Sequence, residues 1–153
     1  MSYVETVLQP GEVVVGTTRL HWFIYLAPLA ILVLGLAVFI VGSSFDPDIR
    51  RIMDLVGAVV CLIAAARLLG AWMTRASTEL AVTNRRVIHK TGLLSRRTQE
   101  INREKVESVD VYQSLAGRIF GYGTILVRGI GSTWEPFANI ADPLSFRSHI
   151  TAG

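Results

Sequence analysis

Residues 22–45, WFIYLAPLAILVLGLAVFIVGSSF, hold 24 consecutive positions with no ionisable side chain other than that of Tyr25. A helix rises about 1.5 Å per residue, so about 20 apolar residues span a hydrocarbon core of roughly 30 Å. A second apolar stretch, residues 52–73, follows a polar break in which Asp46-Pro47-Asp48 is a turn signal. The two stretches predict a transmembrane hairpin with helices at 22–43 and 52–73.

Aromatic and basic side chains mark the expected membrane interfaces. Trp22 and Tyr25 stand at the start of the first stretch and Trp72 near the end of the second, where amphipathic rings favour the head-group level. Arg67 lies within about 9 Å of the end of the second helix, so its long side chain is expected to reach the interface. The alternative is that Arg67 and Asp54 mark an intramembrane functional site.

Small residues recur at four-residue spacing in the second stretch. They form the rows Gly57, Cys61, Ala65 and Ala66, Gly70. Such rows let another helix approach closely. The first helix is the expected partner, and a homo-oligomer is the alternative.

The distribution of basic residues predicts the orientation. Arg19, Arg75 and the basic residues after it flank the side that bears the termini, whereas the loop between the helices has only Arg50 and Arg51. Because Lys and Arg favour the cytoplasmic side, both termini are expected in the cytoplasm. Residues 1–21 would then form a cytoplasmic segment.

The amino-acid composition limits which architecture and which partners the chain can have. The 153 residues are 51% hydrophobic with a mean hydropathy of +0.45, which suits a hairpin plus one small domain. Residues 75–153 hold eleven Lys or Arg and seven Asp or Glu, a net charge of +4. That charge favours anionic head groups or acidic partners, with ordinary solubility charge as the alternative. The single cysteine, Cys61, cannot form a disulfide within one chain.

Short alternating segments replace the long apolar runs after residue 75. Predicted strands lie at residues 79–83, 86–90, 96–101 and 124–128, with Asn84-Arg85 as a tight turn. In the N-terminal segment β-branching favours an extended stretch that could pair with this domain. Asp142-Pro143 predicts the start of a closing helix, with Asp142 as N-cap and proline at the first helical position. The expected fold class is an α+β membrane protein whose second part is a small antiparallel β-barrel or sandwich with a C-terminal capping helix.

Residues 78–131 carry motifs that resemble a known family. These are Thr83–Arg86, Gly92 with Arg96 and Arg97, Lys105–Val109, and the glycine-rich Gly117–Thr124. The chain resembles the bacterial pleckstrin-homology (PH)-like membrane proteins, in which two transmembrane helices precede a bacterial PH domain. The resemblance implies a PH-like fold over residues 75–153, with two roughly orthogonal antiparallel sheets and a C-terminal helix, in the bacterial inner membrane.

An architectural role is expected for the signature residues, which are Asn84, Gly117, Arg118, Gly121, Tyr122 and Gly123. Two glycines bracket Tyr122, as a sharp bend or close backbone approach requires. The guanidinium of Arg118 could donate to carbonyls at that corner. A phosphate cradle is the alternative, but neither a Walker-type nor a dinucleotide-binding spacing is present.

Signals for catalysis, metal binding and nucleic-acid binding are missing from the sequence. His21, His89 and His149 are far apart and lack partners at metal-ligand spacing. The acidic residues between 100 and 110 alternate with basic ones, which is typical of a solvated face. We therefore expect no enzyme activity, no cofactor and no nucleic-acid partner.

Three functions fit these observations. The first is a membrane-anchored interaction or scaffold module that binds a protein partner or itself. The second is binding of an anionic phospholipid through Arg85, Arg86, Lys90, Arg96 and Arg97. The third is an accessory subunit of a membrane transporter or lipid-synthesis complex, packed through the small-residue rows.

Overall fold

The computed structural model describes residues 3–92, 97–130, 132–133 and 136–152. By its internal contacts the chain divides into two units. Residues 22–73 form one unit, and residues 1–21 together with 74–153 form the other. The two ends of the chain therefore belong to one folded body.

Two long apolar helices follow a short N-terminal part. The chain begins with helix α1 (Tyr3–Val7) and strand β1 (Val14–Thr18), and a single 3-10 turn over Trp22–Tyr25 leads into α2 (Leu26–Gly42) and then α3 (Pro47–Ser77). The spans Trp22–Gly42 and Pro47–Ser77 are both long and apolar enough to cross a membrane, by length and composition. The predicted pair of apolar helices is present.

Helix α3 is longer than the sequence predicted. It begins at Pro47, within the segment expected to be a loop, and runs to Ser77. The amide of Arg50 already donates to the carbonyl of Asp46 at 2.9 Å. Proline suits the first helical position because its φ is preset and its missing N–H would have no helical partner there. The predicted break between the two helices is present but shorter than expected, because residues 47–51 already belong to α3.

One row of small residues lies at the contact between α2 and α3. A Cβ added to Gly35 would lie 2.7 Å from the Sγ of Cys61, and one added to Gly57 would lie 3.0 Å from the ring of Phe39. A Cβ added to Gly70 meets nothing within 4 Å. Glycine therefore allows close approach at Gly35 and Gly57, whereas the row containing Gly70 does not touch α2 there.

The remaining elements form two antiparallel sheets and two helices. The first sheet has the order β1-β2-β3-β4, with β2 (Glu79–Thr83), β3 (Arg86–Thr91) and β4 (Arg97–Asn102). After β5 (Val106–Tyr112) and helix α4 (Leu115–Phe120), the second sheet continues with β6 (Tyr122–Gly129), β7 (Ser132–Thr133) and β8 (Phe137–Ala141). In it β6 pairs with β5, β7 and β8. Helix α5 (Pro143–Thr151) ends the chain.

Both sheets contribute to one core. Helix α5 contacts β1 and β2 of the first sheet and β5 and β6 of the second, and its Phe146 is almost fully buried. The strands supply the other large buried side chains, among them Leu80, Val82, Val87, Ile125, Val127 and Ile140. The two sheets have separate strand orders and are linked by an antiparallel bridge between Leu20, just after β1, and Ile140 of β8. The arrangement is a sandwich and not a closed barrel. The predicted α+β, PH-like class with a C-terminal helix is confirmed.

Strand β2 is buried on both faces, although the alternation in its sequence is typical of a strand that is buried on one face. Leu80, Ala81, Val82 and Thr83 are all buried. The second face is covered by α1, whose Val4 packs in one cluster with Ala81. A short N-terminal helix that the sequence did not predict therefore completes this side of the sheet.

Two further elements differ from expectation. Helix α4, which the sequence did not predict, ends just before the bend expected at residues 121–123. Gly121 follows the helix at φ +77°, a left-handed conformation that glycine tolerates. Asp142 does precede α5, but it adopts φ 45° and its side chain makes no capping hydrogen bond. The amide of Asp142 instead donates to the carbonyl of Gly121 at 2.9 Å.

Candidate functional site

The candidate basic residues do not form one patch. Arg86 opposes Asn102 at one end of the β3–β4 pair, whereas Arg97 opposes Thr91 at the other end. Five residues of strand correspond to about 17 Å. Arg85 lies beside Arg86, and Lys90 lies towards Arg97. Arg96 lies outside the described residues.

Arg86 forms ion pairs with two carboxylates, those of Glu12 and Glu100. Its Nε donates to Oε1 of Glu12 at 2.9 Å and its Nη2 to Oε2 of Glu12 at 2.8 Å. The Nη1 atom donates to Oε2 of Glu100 at 2.6 Å, and Nη2 also donates to the carbonyl of Val7 at 2.8 Å. The Arg86 side chain is 13% exposed and that of Glu12 is 0% exposed. Arg86 thus ties the N-terminal segment to β3 and β4.

The network shifts the protonation equilibria of both partners. Hydrogen bonds from Arg86 lower the pKa of Glu12 to about 2, against the opposing effect of burial. The hydroxyl of Thr83 adds a further hydrogen bond to Oε1 of Glu12 at 2.7 Å. The hydrogen bonds to Glu12 in turn raise the pKa of Arg86. Both groups are charged at neutral pH, so the pair is ionic and buried.

Lys90 also has partners within the protein. Its Nζ lies 3.9 Å from Oε1 of Glu79 and 4.8 Å from the centre of the Tyr3 ring. The amide of Tyr3 in turn donates to Oε2 of Glu79 at 3.0 Å. Lys90 is therefore part of the contact between α1 and the first sheet. Arg85 and Arg97 are both exposed.

A polar cleft of about 650 Å³ opens beside Arg85 and Arg86. Its walls include Glu100, Glu104 and Arg103. The guanidinium of Arg103 donates to carbonyls at the end of α5, namely those of His149, Ile150 and Ala152, at 2.7–3.3 Å. A cation suits the carbonyl end of a helix. Arg103 was expected on a solvated face, and it instead fixes α5.

Signature residue Asn84 holds the N-terminal segment. Its Oδ1 accepts from the amide of Val13 at 3.1 Å, and its Nδ2 donates to the carbonyl of Gly11 at 3.3 Å. The amide of Asn84 donates to the carbonyl of Val13 at 3.0 Å. The turn between β2 and β3 is therefore bound to residues more than 70 positions earlier.

The glycines of the signature permit close packing around α4. A Cβ on Gly117 would lie 2.6 Å from the carbonyl oxygen of Tyr122, and one on Gly123 would lie 2.9 Å from that of Tyr112. Arg118 is exposed. It is the side-chain amide of Gln113 that donates to the carbonyl of Tyr122, at 3.1 Å. The sequence had suggested Arg118 as the donor to carbonyls at this corner.

The expected interface residues lie on or beside the apolar helices. Trp22 and Tyr25 are in the 3-10 turn that precedes α2, with Trp22 46% exposed. Arg67 and Trp72 are exposed on α3. Asp54 lies 3.8 Å from Arg50 one turn earlier, an exposed pair on the same helix.

His21 connects the start of the first apolar span to the second sheet. Its ring stacks on Tyr122 with 5.5 Å between centroids and shares a hydrogen bond with the backbone of Phe120. Burial, and to a smaller extent the positive charge of Arg75, lower the pKa of His21. The Nε of Arg75 donates to the carbonyl of Leu20 at 3.0 Å. The two points at which the chain leaves this unit, after His21 and before Thr74, are thus close together.

The side chains of the described residues offer no group of three or more His, Cys, Asp or Glu that could hold a metal ion. The chemistry present in this unit is ionic and hydrogen-bonding. It fixes the N-terminal segment and α5 to the sheets.

A family model described as bacterial PH domain matches residues 20–153. That range contains both apolar helices and most of the two-sheet unit, but not α1 or β1. No curated protein and no solved structure matches the chain.

Proposed function

Because this chain belongs to the bacterial PH domain family, we propose that it is an interaction module anchored in the bacterial inner membrane by residues 22–73, with both termini in the cytoplasm. Domains of this type generally mediate interactions with proteins or lipids and are not enzymes. The partner proposed here is a protein or a second copy of the chain.

The pairing of β1 with β2 is the observation that carries the anchoring. Strand β1 precedes both apolar helices and β2 follows them, yet Thr18 lies opposite Leu80 in one sheet. If residues 22–73 cross a membrane, this pairing supports an even number of crossings, because both strands then lie on the same side. Two helices of sufficient length supply that number.

Basic residues support the cytoplasmic orientation. Arg19 and Arg75 both lie close to the points where the chain leaves the two-sheet unit. Lys and Arg next to spans favour the cytoplasmic side.

Strand β4 supports the interaction role. It is the outer strand of the first sheet, and its side chains Arg97, Thr98, Glu100 and Asn102 are exposed. An outer strand can accept a strand from a partner through main-chain hydrogen bonds. Tethering to a membrane raises local concentration, so a weak edge contact is sufficient for assembly.

The arrangement of the basic residues does not favour lipid binding by the predicted set. Arg86 and Lys90 already have carboxylate partners. Arg85 follows β2 at the end opposite Glu79, where α3 enters the sheet. Arg85 is thus at the far end of the sheet from the residues that lead into the apolar helices.

Two experiments test the proposal on the full-length protein. Reporter fusions should place both termini in the cytoplasm, and a C-terminus outside the cell would refute the anchoring. A photo-cross-linker at Thr98 on β4 should capture a partner protein or a second copy, whereas one at Ser148 on α5, which is also exposed, should not. A lone monomer by mass in detergent, without cross-links at Thr98, would exclude the interaction role.

A further inference from the structure

Helix α4 exposes an unusual amount of apolar surface for its length. Leu115 and Ile119 are each 79% exposed, and Phe120 is 50% exposed. Leu115 and Ile119 are one turn apart and share a face of the helix. We call Leu115, Ile119 and Phe120 the α4 knob. Clustered exposed apolar side chains next to a folded core are typical of surfaces that meet another phase or partner.

The fold itself turns the knob outward. The inward position of α4 is Gly117, which is buried and lies so close to β6 that a Cβ would be 2.6 Å from the carbonyl oxygen of Tyr122. The hydroxyl of Ser114 caps the helix by accepting from the amide of Gly117 at 3.0 Å. With glycine as the contact residue, the large side chains can only face away from the sheet.

The knob lies where the chain leaves the two-sheet unit. Phe120 shares a hydrogen bond with His21, and His21 stacks on Tyr122. His21 is the residue directly before Trp22, the start of the first apolar span. If residues from Trp22 onward enter a bilayer, the end of α4, where the backbone of Phe120 meets His21, lies near the membrane surface.

The charge around the knob suits an anionic surface. Residues 111–124 contain no Asp or Glu and include Arg118. The acidic residue next to the end of α4 is Asp142, whose amide donates to the carbonyl of Gly121. Arg118 is exposed on α4 itself, and Arg19 is exposed two residues before His21. Basic residues beside an apolar surface are attracted to the head groups of acidic lipids.

We propose that α4 inserts the knob into the head-group region of the bilayer that residues 22–73 cross. The inference rests on the proposed anchoring. On this side of the domain α4 would contact lipid and not the partner protein. Strand β4 would remain available for protein contact. The ligand is the interfacial layer of a phospholipid bilayer containing anionic lipid.

The chain offers a matched control position. Ile130 is 72% exposed, close to the exposure of Ile119, but it follows the opposite end of β6. The seven steps of strand from Tyr122 to Gly129 correspond to about 23 Å. A label at Ile130 therefore samples the same domain far from the chain exit.

Lipid-borne quenching tests the inference. In a Cys61→Ala background, single cysteines replace Ile119, Ile130 or Leu36 of α2, and each carries an environment-sensitive fluorophore. The full-length variants are reconstituted into vesicles of phosphatidylethanolamine and phosphatidylglycerol, with or without lipids bearing a nitroxide near the head of the acyl chain. The labels at 36 and 119 should lose most of their emission, and the label at 130 should keep it.

The outcomes separate this inference from the proposed function. Quenching at 36 with equal, weak quenching at 119 and 130 would refute insertion of the knob while leaving the anchoring intact. Absence of quenching at 36 would refute the anchoring and with it the insertion. A blue-shifted but unquenched label at 119 that cross-links to protein would show that a protein covers the knob, and would also refute insertion.

Discussion

Glu12 and Arg86, 74 residues apart in sequence, meet in a two-point contact with nitrogen–oxygen distances of 2.8 and 2.9 Å. The apolar hairpin lies between them in the chain. This pair holds the segment before the hairpin against the sheet that follows it, and with it the pairing on which the proposed topology depends.

Glu12→Gln should destabilise the two-sheet unit by about 3 kcal/mol, since it leaves the nearly buried Arg86 with only part of its charge compensation. The exposed pair Asp110–Arg128, at 3.2 Å, provides the control, and Asp110→Asn should cost less than about 1 kcal/mol. Protease susceptibility of the detergent-solubilised protein at increasing urea measures both. Equal losses for the two variants would contradict the structural role of Glu12.

Stability should fall in acid because the pKa of Glu12 is lower in the folded state. The depression from 4.5 to about 2 means that the contribution is complete above about pH 4.5 and is lost as pH falls towards 2. Allowing for solvent screening, the loss is of the order of 2 kcal/mol. Unfolding of the wild type and of Glu12→Gln is compared across this range. The variant should show a flatter dependence, and parallel curves would assign the acid sensitivity to other groups.

Gly117→Ala should destabilise the protein although it lies in a helix. Helix propensity alone favours alanine by about 1 kcal/mol. The new methyl group would meet the backbone oxygen of Tyr122 at 2.6 Å, and overpacking of this kind costs about 1–3 kcal/mol. Thermal unfolding should therefore occur at a lower temperature. Gly70→Ala, whose methyl group meets nothing within 4 Å, should be neutral or stabilising in the same assay. A stabilised Gly117→Ala would show that α4 does not pack as described.

Gly35→Leu should disrupt the contact between α2 and α3, because its Cβ would lie 2.7 Å from the Sγ of Cys61. Gly70→Leu makes the same change on α3 where the space is open. Protein yield in the membrane fraction and resistance to heat-induced aggregation in detergent report the difference. We expect loss for Gly35→Leu and near wild-type behaviour for Gly70→Leu. The reverse order would mean that the Gly70 row carries the helix contact.

Local sequence patterns were sufficient to predict most elements of the fold. The strands at residues 79–83 and 86–91, the turn between them and the helix after Asp142 follow from alternation, turn residues and proline placement. The start of α3 was misplaced because Asp46-Pro47-Asp48 favours both a turn and a helix N-terminus. Helix α4 was missed because its six residues are too few to show a helical periodicity in the sequence.

The candidate basic set shows why side-chain roles were harder to predict. Arg85, Arg86, Lys90 and Arg97 are close in sequence, but antiparallel pairing places Arg86 and Arg97 at opposite ends of β3 and β4. The carboxylates that engage Arg86 and Lys90 lie in other segments, namely Glu12, Glu100 and Glu79. A run of basic residues therefore did not indicate a basic surface.

The sequence by itself determined two apolar helices, a β-rich remainder with a closing helix, and membership of the family, because each depends on residue type and short-range periodicity. Only the tertiary structure decided that Glu12 neutralises Arg86, that Arg103 fixes α5, and that Leu115 and Ile119 are exposed on α4. These relationships join segments tens of residues apart, and their energies arise from burial and from charges brought within hydrogen-bonding distance. Such distances exist only once the sheets have formed.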